Sequence, residues 1–304
     1  MPIIVSYIAV IIIWSTTPLA IKWSNDGTPP IAAASMRMLL AATAAMLVIL
    51  LLRRFDFFSK KHYKNYAVAS LSLFPNLPLV YYSAQYIPSG LISVIFGLSP
   101  LFTALFSILL LKDNFLTPQK LLAQVIALTG LACVTYEQMA LGDEAIWGVL
   151  LMLASTVVYA GSNVWLKQIS TKHSVPAFEQ TCGALVFSLP GLLLCWFLVE
   201  GNFAVTLTER SLLSMMYLGL IGSLVGFVAF YYVLNRMSLS LMSLIPVITP
   251  MIALVLGAVI AGESLGLYAS IGVALIIVGL VIYEGLPKLL LKSWRQWQTK
   301  NLRV

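Results

Sequence analysis

Along this chain, long apolar runs alternate with short polar connections, and the pattern repeats from end to end. Reading between charges and Gly/Pro clusters gives ten runs, at about 3–22, 30–52, 65–86, 88–111, 118–136, 146–166, 176–199, 210–234, 239–261 and 266–286. A helix needs about 20 apolar residues to cross a hydrocarbon layer of about 30 Å. Each run is therefore read as a membrane-spanning helix. The first resembles a signal peptide in position, but no Lys or Arg precedes it and no small-residue cleavage site follows. It is read as the first span.

Composition agrees: 60% of the 304 residues are hydrophobic, 10% are charged and the mean hydropathy is +0.96. Ordinary soluble domains are about a quarter charged, and so little polar surface cannot cover a water-soluble fold. The connections are too short for a separate soluble domain, and no Gly-rich loop ending in Lys-Ser/Thr is present. Direct ATP hydrolysis by this chain is thus not expected. Cys133, Cys182 and Cys195 fall inside apolar runs without metal-ligand spacing and read as small hydrophobes. No cofactor or metal is expected.

Charge sets the orientation. With a cytoplasmic amino terminus, fifteen of the 18 basic residues face the cytoplasm, including Arg53, Arg54, Lys60, Lys61, Lys64 and the tail. Lys22 and Arg210 lie outside, and Arg37 lies within a span. Positive residues favour the cytoplasmic side, so both termini are placed there. The expected location is a bacterial inner membrane. The net charge of +7 is then a membrane property, and no nucleic-acid partner is implied. The tail, 287–304, carries Leu290, Trp294 and Trp297 at helical spacing after Leu286. It reads as lying on the anionic inner leaflet, with a disordered tail as the alternative.

The two halves resemble one another. At a shift of 150 residues, Tyr81-Tyr82 falls on Tyr231-Tyr232, Ser99-Pro100 on Thr249-Pro250 and Asp113 on Glu263. At 145, Trp14 meets Tyr159 and Lys22 meets Lys167; at 146, Pro30 meets Pro176. Five spans per half is an odd number, so the second half enters from the opposite side. The expected fold is an all-α integral membrane protein of ten transmembrane helices in two inverted five-helix repeats, 1–138 and 145–286. A monomer suffices, because the fused halves supply their own pseudo-symmetry. Pro100 and Pro250 fall near mid-span, where each frees a carbonyl four residues earlier. They mark a hinge or cavity, or a simple packing kink.

The stretch from Tyr86 through Ile87-Pro88-Ser89-Gly90 to Ser99-Pro100, with Pro250 and then Ala261-Gly262-Glu263-Ser264-Leu265, resembles the ten-helix EamA-type branch of the drug/metabolite transporter superfamily. Trp14-Ser15, the Pro30 to Arg37 spacing, Ile271-Gly272 and Gly279 fit as well. One departure is Lys112-Asp113, where the family's first half usually shows Gly-Glu. The resemblance implies a carrier, often an exporter, of small metabolites such as amino acids, bound in a cavity between the halves.

Several residues are candidates for that site. Arg37 lies about seven residues into the second span, where a charge is costly unless it meets a partner or water. It is read as holding a substrate carboxylate, with snorkelling or carbonyl bonding as the alternative. Glu179, three residues after Pro176, reads as a first-turn carboxylate stabilised by the helix dipole, or as a proton-coupling group. Trp14, Tyr82, Tyr159, Trp165 and Tyr232 lie on the helices that the family uses for its cavity. Asn76 and Asn163 add buried amides that need partners. The expected ligand is a small polar or amphipathic metabolite. Gly222 and Gly226 form a Gly-x-x-x-Gly face that reads as close helix packing. His62 and His173 fall between spans, and no set of nucleophile, base or paired carboxylates lies within them, so an enzyme is not expected. A lipid-carrier flippase is the nearer alternative.

Overall fold

The computed structural model describes residues 3–111, 117–141, 143–170, 175–201, 205–234, 245–283 and 285. The tail 287–304, the Lys112-Asp113 pair and His173 lie outside the described residues. Within them the chain is helical and contains no strand.

The helices follow the apolar runs. They are α1 (Ile3–Ser24), α2 (Pro30–Leu51), α3 (Tyr63–Ser70), α4 (Asn76–Tyr86), α5 (Ser89–Phe96), α6 (Ser99–Phe106), α7 (Pro118–Leu141) and α8 (Asp143–Ser170). After these come α9 (Ala177–Glu200), α10 (Glu209–Met216), α11 (Gly226–Leu234), α12 (Ile245–Ala261) and α13 (Leu267–Tyr283). Wider π-helical turns extend α6 over Ser107–Leu111 and join α10 to α11 over Tyr217–Val225.

Among the described residues, seven helices are long and apolar enough to cross a membrane, counting α5–α6 and α10–α11 as single rods. The expected third span is not a continuous helix. It splits at residues 71–75, where Pro75, followed by Pro78 in the first turn of α4, removes a helical donor. The two carboxyl-terminal helices, α12 and α13, are apolar and are described over 17 residues each. Gly262, with φ of 64°, turns the chain out of α12 through a conformation that a side chain disfavours.

Packing relies on small residues. Without a hydrophobic drive between helices in lipid, close backbone approach supplies the contact energy. The α7–α13 pair shows this most clearly. A Cβ on Gly130 would lie 2.5 Å from the Gly272 carbonyl, and one on Gly279 would lie 2.9 Å from the Ala123 carbonyl. On the α3–α9 seam, Gly183 and Gly191 accept the flat rings of Tyr66 and Phe74 where a methyl would overlap them. Tyr66 stacks in turn on Phe57 at 5.2 Å.

On the face carrying the α1–α2 connection, two loops are bonded together. Thr206 Oγ1 donates to the Gly27 carbonyl at 3.0 Å, Thr208 Oγ1 to the Asp26 carbonyl at 3.2 Å, and Thr28 Oγ1 to Ser211 Oγ at 3.1 Å. Glu200, ending α9, accepts from the Ile31 and Ala32 amides at 2.8 and 3.2 Å. These amides are orphan donors of the first turn of α2, so the carboxylate satisfies them from another helix.

Replacing Gly130 with Leu forces α7 and α13 apart. The expected cost is about 1–3 kcal/mol or more, read as a lower thermal midpoint in detergent. Exposed Leu121→Ala, on the outer face of the same helix, serves as the neutral control.

Candidate functional site

The helix interruptions converge on one cavity of about 550 Å³. The break between α3 and α4 contributes Ser72 and Asn76, and the break between α5 and α6 contributes Phe96, Gly97, Ser99 and Pro100. Trp14, Thr17 and Ile21 come from α1, Arg37 from α2, Tyr159 from α8, and Phe227 and Phe230 from α11. Gly222 and Ser223 come from the π-helical stretch, and Ile245 and Thr249 from α12.

The break in α5–α6 follows from its sequence. Pro100 has no amide to donate, and the chain crosses Gly97 and Leu98 in tighter turns, with Leu98 N bonded to the Ile95 carbonyl at 3.0 Å. Tyr283, from α13, donates its hydroxyl to the Pro100 carbonyl at 3.0 Å. Gly97 lies opposite Pro250, whose Cγ would stand 3.4 Å from a Cβ built there. Pro250 itself stays inside α12 and is buried. Ser99 and Thr249, beside the two prolines, both line the cavity.

Asn76 closes the other break. Its Nδ2 donates to the Ser72 carbonyl at 2.8 Å, and its Oδ1 accepts from the Ser155 hydroxyl. Both ends of this amide are thus occupied by the protein. The aromatic walls are also internally packed: Trp14 lies 4.7 Å from Phe230 and 6.3 Å from Phe227, and Tyr159 lies 4.7 Å from Phe96.

Arg37 is the one charged residue among the described residues of this lining. It is 5% exposed, with Nε donating to Ser223 Oγ at 3.0 Å and Nη1 to the Tyr81 hydroxyl at 3.4 Å. No carboxylate among the described residues lies within ion-pair distance of it. Neutral hydroxyls orient the guanidinium and leave its positive charge uncompensated.

The remaining sequence candidates sit elsewhere. Tyr82 packs against the cluster of Ile31, Ala32 and Trp196. Asn163 donates to the carbonyl of Tyr159 in its own helix at 2.8 Å. Trp165 is 42% exposed, and Tyr232 packs against Val10, Val233 and Ile245. Glu179 is buried and meets Arg54 Nη1 at 3.4 Å, while its Oε2 has no partner among the described residues. The sequence reading missed Tyr81, Ser223, Phe227 and Phe230. Tyr81 precedes Tyr82 by one residue, and about 100° of helical rotation separates the two rings. Ser223 follows Gly222, so the Gly-x-x-x-Gly face carried a pointer to it.

A charged cluster forms behind the cavity lining, next in sequence to Ile21. Glu263, in the α12–α13 connection, meets Lys22 Nζ at 2.9 Å. It also accepts from Ser89 N at 3.0 Å, Ser89 Oγ at 2.9 Å and Gly90 N at 3.4 Å. Burial opposes ionisation of this carboxyl, but the Ser89 amide, Lys22 and the Ser89 hydroxyl together outweigh it and hold its pKa below the usual range.

The sequence profile of the EamA-like transporter family matches residues 1–136 and 146–284. The chain belongs to the EamA-like transporter family. It is a multi-pass membrane protein and a transporter of that family, part of the drug/metabolite transporter superfamily. Among its relatives is the uncharacterized transporter YoaV of Bacillus subtilis, 25% identical over 280 residues that cover 91% of this chain and 95% of YoaV. Another, an uncharacterized transporter of Buchnera aphidicola, is 26% identical over 273 residues and 87% of each chain. A solved crystal structure shares the fold with a TM-score of 0.65 at 18% identity, over 92% of this chain and 96% of that one.

Removing the Asn76 amide strands the Ser72 carbonyl at a break that has no helical partner for it. Asn76→Ala is expected to lower stability by about 1–3 kcal/mol, measured by thermal unfolding of purified protein in detergent.

Proposed function

We propose that this EamA-family transporter is a secondary carrier that exports small metabolites such as amino acids, working by alternating access around the central cavity. The observation that carries this reading is Arg37, a buried guanidinium in the cavity wall with no carboxylate partner among the described residues. An uncompensated buried cation costs several kcal/mol, and a carboxylate on the solute offsets that cost at the moment of binding. The remaining lining suits the body of such a solute. Trp14, Phe96, Tyr159, Phe227 and Phe230 offer apolar faces, and Thr17, Ser93, Ser99, Thr103 and Thr249 offer hydroxyls. A volume of about 550 Å³ falls in the range of small-molecule sites, about 300–1,000 Å³. Among the described residues, the lining carries no carboxylate, imidazole or thiol to act as base or nucleophile, which favours binding over reaction.

The architecture that goes with this reading is ten spans in two inverted repeats, 1–138 and 145–286, with both termini in the cytoplasm of a bacterial inner-membrane protein. Two stretches of family match, one in each half, support it. So do the aligned positions of Pro100 and Pro250, whose neighbours Ser99 and Thr249 face the same cavity. Trp14, Arg37 and Tyr159 are the proposed solute contacts, with Asn76, whose amide keeps a second proton and a second lone pair beyond its bonds to Ser72 and Ser155. Tyr82, Asn163, Trp165 and Tyr232 lie outside the lining, and contact from them requires another conformation. Glu179, with one carboxylate oxygen unpartnered, is the candidate for proton coupling.

The test compares metabolites in medium and cytoplasm of bacteria expressing the chain or its Arg37 variants. Export of a few amino acids is expected, falling about tenfold or more in Arg37→Ala, in line with the loss of a charge-assisted contact. Arg37→Lys should keep part of the activity, because it keeps the charge but loses the planar fork. An unchanged profile in Arg37→Ala at equal membrane level rejects the role of Arg37.

A further inference from the structure

Three elements far apart in sequence meet at Glu263: the last turn of α1 through Lys22, the first turn of α5 through Ser89 and Gly90, and the α12–α13 connection that carries Glu263 itself. The sequence makes room for this meeting. Gly257 leaves the space that the Glu263 carboxylate fills, since a Cβ there would overlap Oε2, and Gly262 turns the chain so that Glu263 points back. The cluster's own residues do not line the cavity, but their chain neighbours do. Ile21, next to Lys22, and Ile92, two residues past Gly90, both line it. Thr103, on α6 well beyond the break from Ile92, lines it as well.

We propose that Glu263, bridging Lys22 and the amino-terminal amides of α5, is a latch that holds one end of the cavity closed and must release for solute to pass there. This rests on the transporter reading above, and the charge bias of the sequence puts the latch on the outer face. The parts fit a reversible closure. A carboxylate at a helix amino terminus is favoured by the orphan amides and the dipole. The Lys22 bond is weaker, because that side chain is 38% exposed and solvent screens it. Loss of one partly exposed ion pair shifts such an equilibrium without unfolding it. The latch is also the only ion pair among the described residues that joins α1 to the α12–α13 connection.

The experiment reads water access to the cavity and needs no substrate. In a chain whose three cysteines are replaced, Thr17→Cys places a reporter thiol in the lining. A membrane-impermeant maleimide is then applied from either face of oriented vesicles. Lys22→Met removes the ion pair while leaving Glu263 on the α5 amides, so it tests the latch without uncapping a helix. Glu263→Gln weakens both sets of bonds. Labelling from the latch face should rise about fivefold in Lys22→Met and at least as much in Glu263→Gln. The double variant should add little to the larger single effect, because both residues act in one latch. Unchanged labelling from that face in both single variants, with labelling from the opposite face retained as evidence of folding, overturns the proposal. Increased access with no change in any exported metabolite keeps the latch and rejects the export reading instead.

Discussion

In hydrocarbon, a peptide group without a partner costs several kcal/mol, and no water is present to relieve it. That cost governs where this chain can interrupt its helices. Among the described residues, 71–75 and the Gly97-Leu98 step interrupt helices of the apolar body, and both open onto the same cavity. Each is repaired from within the protein. Asn76 reaches back to the Ser72 carbonyl, Ser70 O takes the Phe74 amide at 2.8 Å, and Tyr283 donates to the Pro100 carbonyl. The cavity is therefore lined by irregular backbone and polar side chains together.

The same economy explains Arg37. A guanidinium at this depth requires donors' partners on several sides, and two hydroxyls from different elements supply them. Ser223 can do so because it lies in a π-helical stretch, whose wider turns aim side chains away from the α-helical positions. Gly219, one turn earlier, lets this stretch approach α2 closely: a Cβ there would stand 3.1 Å from the Arg37 carbonyl. Close packing of small residues and orientation of the buried charge are thus two results of one helix contact. Replacing the hydroxyl partners with a carboxylate would neutralise the charge in the empty site and weaken any solute that brings its own.

Much of this was legible in the sequence, for definite physical reasons. Helix positions follow from the lengths of apolar runs, and Arg37 stands out because lone charges are costly in lipid. Pro100 marks a break because it lacks a donor. What the sequence could not convey is rotation about a helix axis where both faces are apolar. Trp14 and Trp165 look alike in composition, yet one lines the cavity and the other is exposed. Tyr81 and Tyr82 differ by a single step and reach different surroundings. In a soluble helix, polar residues would reveal the buried face; here lipid and core are equally apolar, and the clue is lost. The Lys22–Glu263 pair was equally hidden, since 241 residues separate its members.

Aligned positions need not share a local structure, and Pro100 and Pro250 show how they diverge. Pro100 is preceded by Gly97, whose low helical propensity adds to the missing donor, and the helix stops and restarts. Pro250 has no glycine in the preceding turn, and α12 continues through it. Pro250, on the intact rod, lies against Gly97, where the other rod is interrupted. An interrupted rod can change its angle at low cost, whereas an intact one moves as a unit. The Glu263 latch joins the intact rod's end to the start of the interrupted one, at Ser89 and Gly90. Its release would free α5 to pivot at Gly97 against Pro250, which links an event behind the cavity's lining to the backbone that forms its wall.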